Sequence, residues 1–276
     1  MSTVTVAGPT EMPRAGLRAT PWRAALDSLV VMERNLIAYR RVPESLFFSS
    51  VQPIMFVLLF RYVFGGAIKV IGFRGGYANY LMPGIYVQTV AFGSVATSIG
   101  LAEDLQKGII ERFRALPMAR SAVLAGRTLA DLVRNVFVVL IITAVGYAVG
   151  FRVEGLAGFL AGVGLLLLFA YCLSWGFAVI GLSAPNSETA QVMAFPVLFP
   201  LTFAAGTFVP VSSMPGWLQG FANYQPVGEV VAAARSLMVG GPGPAANHVI
   251  GTLLWCLGVL VVLAPLAVWR YRTRTT

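Results

Sequence analysis

Six stretches of this chain, residues 45–64, 80–101, 121–150, 156–182, 189–209 and 249–269, are mostly apolar, and their recurrence decides most of what the chain can be. A helix crossing the hydrocarbon core of a bilayer needs about 20 mostly apolar residues, because lipid offers no partner to an exposed backbone N–H or C=O. Six such helices occupy roughly 120 residues. In a chain of 276 that leaves short connections, two termini and one longer segment. Charge agrees with this reading. Charged residues make up 11% of the chain, where a soluble domain carries about 25%. The expectation is an all-α membrane protein of six transmembrane helices, with no large soluble domain.

The segments around the spans refine that expectation. Residues 1–20 hold scattered Pro, Gly and Arg without an apolar core, so they read as a disordered cytoplasmic tail rather than a cleavable signal. Residues 21–276 form the membrane domain. Its first part, 21–43, reads as an amphipathic helix, with Ala25, Leu29, Met32, Leu36 and Tyr39 recurring at four- and three-residue spacings. Arg23, Asp27, Arg34 and Arg41 fall largely off that stripe. Such a helix lies in the membrane interface, with Trp22 and Tyr39 at headgroup level, although an ordinary packed helix carries the same pattern. Gln52-Pro53 interrupts the first span, and Pro196 and Pro200 lie inside the fifth, where neighbours must satisfy the freed carbonyls. Asn186 or Ser187 is placed to cap the fifth span. Residues 211–243 are too broken to span.

Basic residues orient the chain. With both termini inside, fourteen Lys and Arg face the cytoplasm and four (Lys69, Arg74, Arg152 and Arg235) face out. The net charge of +9 is therefore a sorting pattern beside apolar runs, not a nucleic-acid face.

Catalytic chemistry is missing from the sequence. The single histidine, His248, makes no zinc site of the usual kind and reads as an interfacial side chain. Cys172 and Cys256 both lie in apolar runs and read as small apolar side chains. Neither a G-x-S-x-G elbow nor a G-x-x-x-x-G-K-[ST] phosphate loop occurs. The chain is expected to bind no metal and no cofactor of its own and to catalyse no reaction. Gly146-x-x-x-Gly150 and Gly158-x-x-x-Gly162 are faces that let helices approach closely.

Three segments carry more information. Residues 103–120, EDLQKGIIERFRALPMAR, form an amphipathic, mixed-charge connector on the cytoplasmic side, whose helix should end at Pro117. By itself it reads as a solvated loop. Arg127, Asp131 and Arg134 lie four and three residues apart on one face near the inner end of the third span. Charges inside spans are functional by default, but a shallow structural pair, Asp131 with either arginine, fits as well. Phe195, Phe199 and Phe203 form a stripe on one face of the fifth span beside the two prolines. A stripe of that kind is usually core or lipid-facing; the alternative is the wall of a pocket for an apolar molecule.

Several short motifs, in order, resemble those of ABC-2 type transporter permeases, in the daunorubicin-resistance-like group of bacterial exporters. They are Gln52-Pro53 with Phe64-Gly65-Gly66; Glu103-Asp104, Lys107-Gly108, Glu111-Arg112 and Leu116-Pro117; Phe208-Val209-Pro210 followed by Met214-Pro215-x-Trp217-Leu218; and Gln225-Pro226 and Arg235 ahead of Gly240-Gly241. The resemblance runs from Trp22 to Arg274, and Arg61 departs from it where a small or apolar residue is expected. It implies a multi-pass protein of the cytoplasmic membrane. It also implies a partner permease, either a second copy or a related chain, and two copies of a separate ABC ATPase that carries ATP and Mg. Glu103, Asp104, Lys107, Glu111, Arg112 and Arg114 would then form a coupling helix docking on that ATPase. Residues 211–240 would form a re-entrant outer helix pair, and the cargo would be a lipophilic drug-like compound or lipid. The alternative is a secondary transporter or channel without an ATPase. That would want a midplane acid or an inverted repeat, and Asp131, the one in-span acid, is shallow.

Overall fold

A computed structural model describes residues 21–41, 43–68, 76–115, 120–240 and 245–273. The expected tail over 1–20, the stop at Pro117, and Lys69, Arg74 and Arg274 lie outside the described residues. In chain order the helices are α1 (Pro21–Arg41), α2 (Pro43–Leu59) continuing through a π-helical turn Phe60–Phe64, α3 (Gly76–Gln106), α4 (Ile109–Ala115), α5 (Arg120–Ala148), α6 (Leu156–Ser183), α7 (Ser187–Phe203), a 3-10 turn Val211–Ser213, α8 (Gly216–Tyr224), α9 (Pro226–Val239) and α10 (Ala245–Thr273). Among the described residues there is no strand. Four helices, α3, α5, α6 and α10, are long and apolar enough to cross a membrane. This is an integral membrane protein.

The long helices divide their apolar surface differently. α3 is the hub: every residue from Tyr77 to Ala91 is buried, with α5, α6, α7 and α9 packed around it. α10 is the reverse. Thr252, Cys256, Ala267 and Tyr271 are its buried residues, while Leu254, Leu257, Val261 and Val262 are exposed. Apolar side chains facing outward on a long helix suit lipid, since the bilayer, unlike water, does not drive them inward. Cys172 and Cys256 are both free and buried.

The spans shift at their ends. α3 runs on past residue 101 to Gln106, so Glu103 and Asp104 belong to it. The expected single helix over 103–117 is thereby broken. Lys107-Gly108 is a turn, Gly108 takes φ +63, and α4 restarts at Ile109. Only glycine adopts that left-handed backbone without strain. α7 ends at Phe203 rather than 209. Pro196 and Pro200 lie within it, and Gly206 turns the chain at φ +68 just beyond. At 17 residues, α7 is roughly 25 Å long, short of a full bilayer core. Asn186 caps it, its side chain accepting from the Thr189 N–H at 2.7 Å.

α1 forms where periodicity placed it, but its packed face is one position round. Ser28, Val31 and Asn35 are buried, whereas Leu29 is 49% exposed. Gly126 of α5 explains the choice, because a Cβ there would sit 2.5 Å from the Ser28 carbonyl oxygen. The close approach admits small or self-satisfied residues. Ser28 and Asn35 return their side-chain donors to Ala24 O and Val31 O. Arg61, anomalous in sequence, fastens the π-turn by donating from Nε to Val149 O at 3.1 Å.

Candidate functional site

α2, α3, α5 and α7 leave a partly open chamber between them, of about 230 Å³. Its apolar walls include Pro53, Phe56, Phe92, Ile99, Val138 and Phe195, and its polar ones Gln52, Gln88, Thr89, Arg134, Asn135 and Gln191. Phe92 and Phe195 meet edge to face at 6.0 Å, joining α3 to α7. On the polar side, Gln88 and Asn135 are 3% and 2% exposed. Gln88 Nε2, Thr89 Oγ1, Arg134 Nε and Asn135 Nδ2 are buried without a hydrogen-bond partner. Buried polar groups are nearly always paired, and these four lie enclosed in the packing of residues that line the chamber. Arg134 reaches this position because α3 carries glycine opposite it. Its Nη2 donates to Gly93 O, and a Cβ at Gly93 would lie 2.2 Å from Asn135 Oδ1.

A second constellation lies at the inner end of α3 and α5. Asp104, 8% exposed, accepts from Arg34 of α1 at 3.1 Å and from Arg127 of α5 at 3.4 Å. Arg34 also lies over the Phe113 ring of α4, 4.9 Å from its centroid. One carboxylate thus ties α1, α3 and α5 together beside α4. Asp131, fully buried, accepts from Tyr39 of α1 and Thr97 of α3, each at 2.5 Å. Burial, with the Asp131 charge second, pushes the Tyr39 phenol up from its ordinary value.

The expected pair within the Arg127, Asp131, Arg134 stripe does not form. No ion pair joins Asp131 to either arginine among the described residues. Each member reaches across to another helix: Arg127 to Asp104, Asp131 to Tyr39 and Thr97, Arg134 to Gly93. In tight packing the facing helix offers nearer, better-directed partners than the next turn of the same helix.

The six residues expected to dock on an ATPase also separate. Glu103 and Lys107 form a surface pair at 3.3 Å. Glu111 and Arg112 are exposed on α4. Asp104 is turned inward to its two arginines, and the Arg114 side chain lies outside the described residues. The phenylalanine stripe divides as well. Phe195 lines the chamber. Phe199, 51% exposed, stacks on Phe203 at 4.2 Å. Phe203 joins Phe56 and Phe208 in an aromatic cluster.

At the opposite end, α8 and α9 form a short helix pair. Arg235 of α9, 8% exposed, donates to Tyr80 O (2.9 Å), Gly206 O (2.7 Å) and Thr207 O (3.0 Å). Its guanidinium lies 3.6 Å from the Tyr80 ring centroid. His248, read as an interfacial side chain, meets Glu229 at 2.9 Å.

Gln88, Asn135, Arg34 and Tyr39 were not singled out by sequence reasoning as site residues. A signal for the first two existed, since amides in the middle of apolar spans are costly to bury unpaired. A family model described as "ABC-2 type transporter" matches residues 28–239. The daunorubicin resistance ABC transporter permease protein DrrB1 of Streptomyces coeruleorubidus is 34% identical over 265 residues, 94% of this chain and 91% of that protein. The probable doxorubicin resistance ABC transporter permease protein DrrC of Mycobacterium tuberculosis H37Rv is 28% identical over 269 residues, 97% of this chain and 95% of that one. The inner membrane transport permease YadH of Escherichia coli K12 is 28% identical over 221 residues, covering 78% and 82% of the two chains.

Proposed function

This chain belongs to the ABC-2 type transporter family, and from that membership we propose that it is the membrane-spanning permease of an ATP-driven exporter. It works with a second permease chain and two copies of a separate ABC ATPase, which bind ATP and Mg. It carries a lipophilic drug-like compound or lipid outward across the cytoplasmic membrane, with both of its own termini on the cytoplasmic side. The substrate class draws support from relatives named for resistance to daunorubicin and doxorubicin. Two further spans bring the count to six: α2 with its π-turn, and α7 with the extended segment beyond it. α8 and α9 form the re-entrant outer cap. The exposed apolar residues of α1, Trp22, Leu29 and Val30 among them, suit a helix lying at the membrane surface.

The observation that carries this reading is the chamber bounded by α2, α3, α5 and α7. Two of its walls, α3 and α5, are the helices that Asp104 ties to α1 beside the charged surface of α4. Movement of an ATPase docked on α4 and Glu103 would therefore reach the chamber through rigid helices. A secondary transporter needs an in-span acid free to exchange a proton or ion. Both oxygens of Asp131 are engaged instead.

The test is co-reconstitution with the ATPase subunit in proteoliposomes. ATP hydrolysis should rise with transported lipophiles, and Phe56→Trp, which narrows the chamber, should reduce that rise or change which lipophiles cause it while the two subunits still co-purify. Uptake driven by a proton gradient without nucleotide would overturn the reading.

A further inference from the structure

Leu260, Ala264, Val268 and Arg272 recur at four-residue spacing along one stripe of α10. Ala264 is short where the others on the stripe are long, and Pro265 beside it has no N–H to close the helical turn. Against this stripe α6 sets Trp175, 6% exposed, and an open groove of about 550 Å³ runs between the two helices and the start of α5. From Leu260 to Arg272 is roughly 18 Å along the helix axis. That is a little more than one leaflet's half of the roughly 30 Å hydrocarbon core.

The two ends of the groove differ. Around Leu260 the walls are apolar. At the other end the groove is bordered by Arg272 and by the hydroxyl of Ser121, in the first turn of α5. Trp269, 54% exposed, lies beside them. Arg270, also exposed, holds its guanidinium 5.6 Å from the Trp269 ring centroid. Tryptophan and arginine together at the end of an apolar helix belong at the level of the lipid headgroups. No Asp or Glu lines the groove, and neither Arg270 nor Arg272 enters an ion pair among the described residues.

We propose that this groove binds an anionic phospholipid of the phosphatidylglycerol type, drawn from the leaflet in which α5 begins and α10 ends. One acyl chain lies along Trp175, Leu260 and Ala264, and the phosphate meets Arg272, Arg270 and Ser121. The proposal goes beyond the transport reading and makes no use of the chamber; with the orientation proposed above, the leaflet is the cytoplasmic one. The chain gains little by leaving lipid for an equally apolar wall, so it gives place rather than preference. The head gives the preference. A guanidinium forks onto phosphate oxygens through charge-assisted hydrogen bonds. A phosphatidylcholine head offers the same phosphate but brings a cationic ammonium beside two arginines, which a glycerol head does not.

Two lipids with the same palmitoyl and oleoyl chains isolate the head: a phosphatidylglycerol and a phosphatidylcholine. The delipidated full chain is titrated with each in detergent, and the bound lipid is counted by native mass spectrometry. Phosphatidylglycerol should bind about tenfold or more tighter than phosphatidylcholine. Arg270→Gln with Arg272→Gln should bring the two lipids within about twofold of each other. Arg40→Gln with Arg41→Gln removes the same charge from exposed positions on α1 and should leave the preference intact. Ala264→Phe keeps every charge but fills the hollow, and should weaken both lipids by about threefold or more. The comparison of the two lipids on the unsubstituted protein needs no variant to fold. Equal binding there overturns the proposal and leaves the groove to ordinary annular lipid. A preference lost as fully in the α1 variant as in the α10 variant is general surface charge, and overturns it too. So does phosphatidylglycerol binding that ignores either the Arg270 and Arg272 exchange or Ala264→Phe.

Discussion

The carboxylate of Asp131, fully buried in α5, accepts a hydrogen bond of 2.5 Å from the hydroxyl of Tyr39 on α1. Ninety-two positions of sequence separate the two residues, and the bond is a polar anchor that holds the peripheral helix to the bundle. Arg34 on Asp104 is another.

Tyr39→Phe tests the first anchor. It removes one donor from a buried carboxylate, and detergent-solubilised protein should lose about 1–3 kcal/mol of stability. Thermal melting checks it, with Thr97→Val as the companion from α3. Burial raises the folded phenol above its ordinary value of 10.0. Its contribution should therefore be complete at neutral pH and decline only as the pH rises through and beyond that ordinary value, as the unfolded phenol ionises first. Wild type should lose stability there faster than Tyr39→Phe.

The coupling surface should come apart in two kinds of variant. Glu103→Lys with Glu111→Lys disturbs exposed groups, where a surface pair such as Glu103 with Lys107 contributes about 1 kcal/mol at most. That variant should keep its melting temperature and lose transport-linked ATP hydrolysis. Asp104→Ala removes the shared acceptor of two arginines and should lower the melting temperature even without the ATPase present. Full transport by the double reversal would show that α4 and Glu103 do not dock.

Phe195 and Phe199 should respond differently to truncation. Phe195→Ala enlarges the chamber and should change which compounds stimulate ATP hydrolysis. Phe199→Ala, on a side chain that is 51% exposed, should leave that profile unchanged, and a stimulation screen on both variants decides it.

Arg235→Lys keeps the charge but cannot fork to three carbonyls. It strands at least one of Tyr80 O, Gly206 O and Thr207 O, now held at 2.9, 2.7 and 3.0 Å. The expected loss is about 2 kcal/mol, read as a lower melting temperature together with faster proteolysis of the segment between α7 and α9.

Gly93→Ala would push a Cβ to 2.2 Å from Asn135 Oδ1. Overpacking of this kind costs about 1–3 kcal/mol. Gly100→Ala would meet the Arg127 guanidinium instead, at 1.4 Å from its Nη2, and should loosen the Asp104 anchor. The two variants should melt earlier than wild type, and only Gly93→Ala should also change which compounds stimulate ATP hydrolysis.

The apolar runs by themselves determined that this chain is helical and lives in a bilayer, because lipid leaves a backbone no other way to pair its polar groups. Asn186 marked where α7 begins, since its side chain caps its own backbone, whereas the break at Gly108 fell inside a segment that reads as one helix. Other features were decided by packing. α3 and α10 are both apolar over their length, yet one is the buried hub and the other faces outward; hydropathy measures dislike of water, and lipid and protein core satisfy it equally. Arg127, Asp131 and Arg134 share a helix face, and each found its partner on another helix. The chamber needed Phe56 from α2, Gln88 from α3, Asn135 from α5 and Phe195 from α7 to converge. No local pattern specifies that convergence, because it depends on which helices glycines such as Gly93 and Gly126 allow to approach, and at what distance.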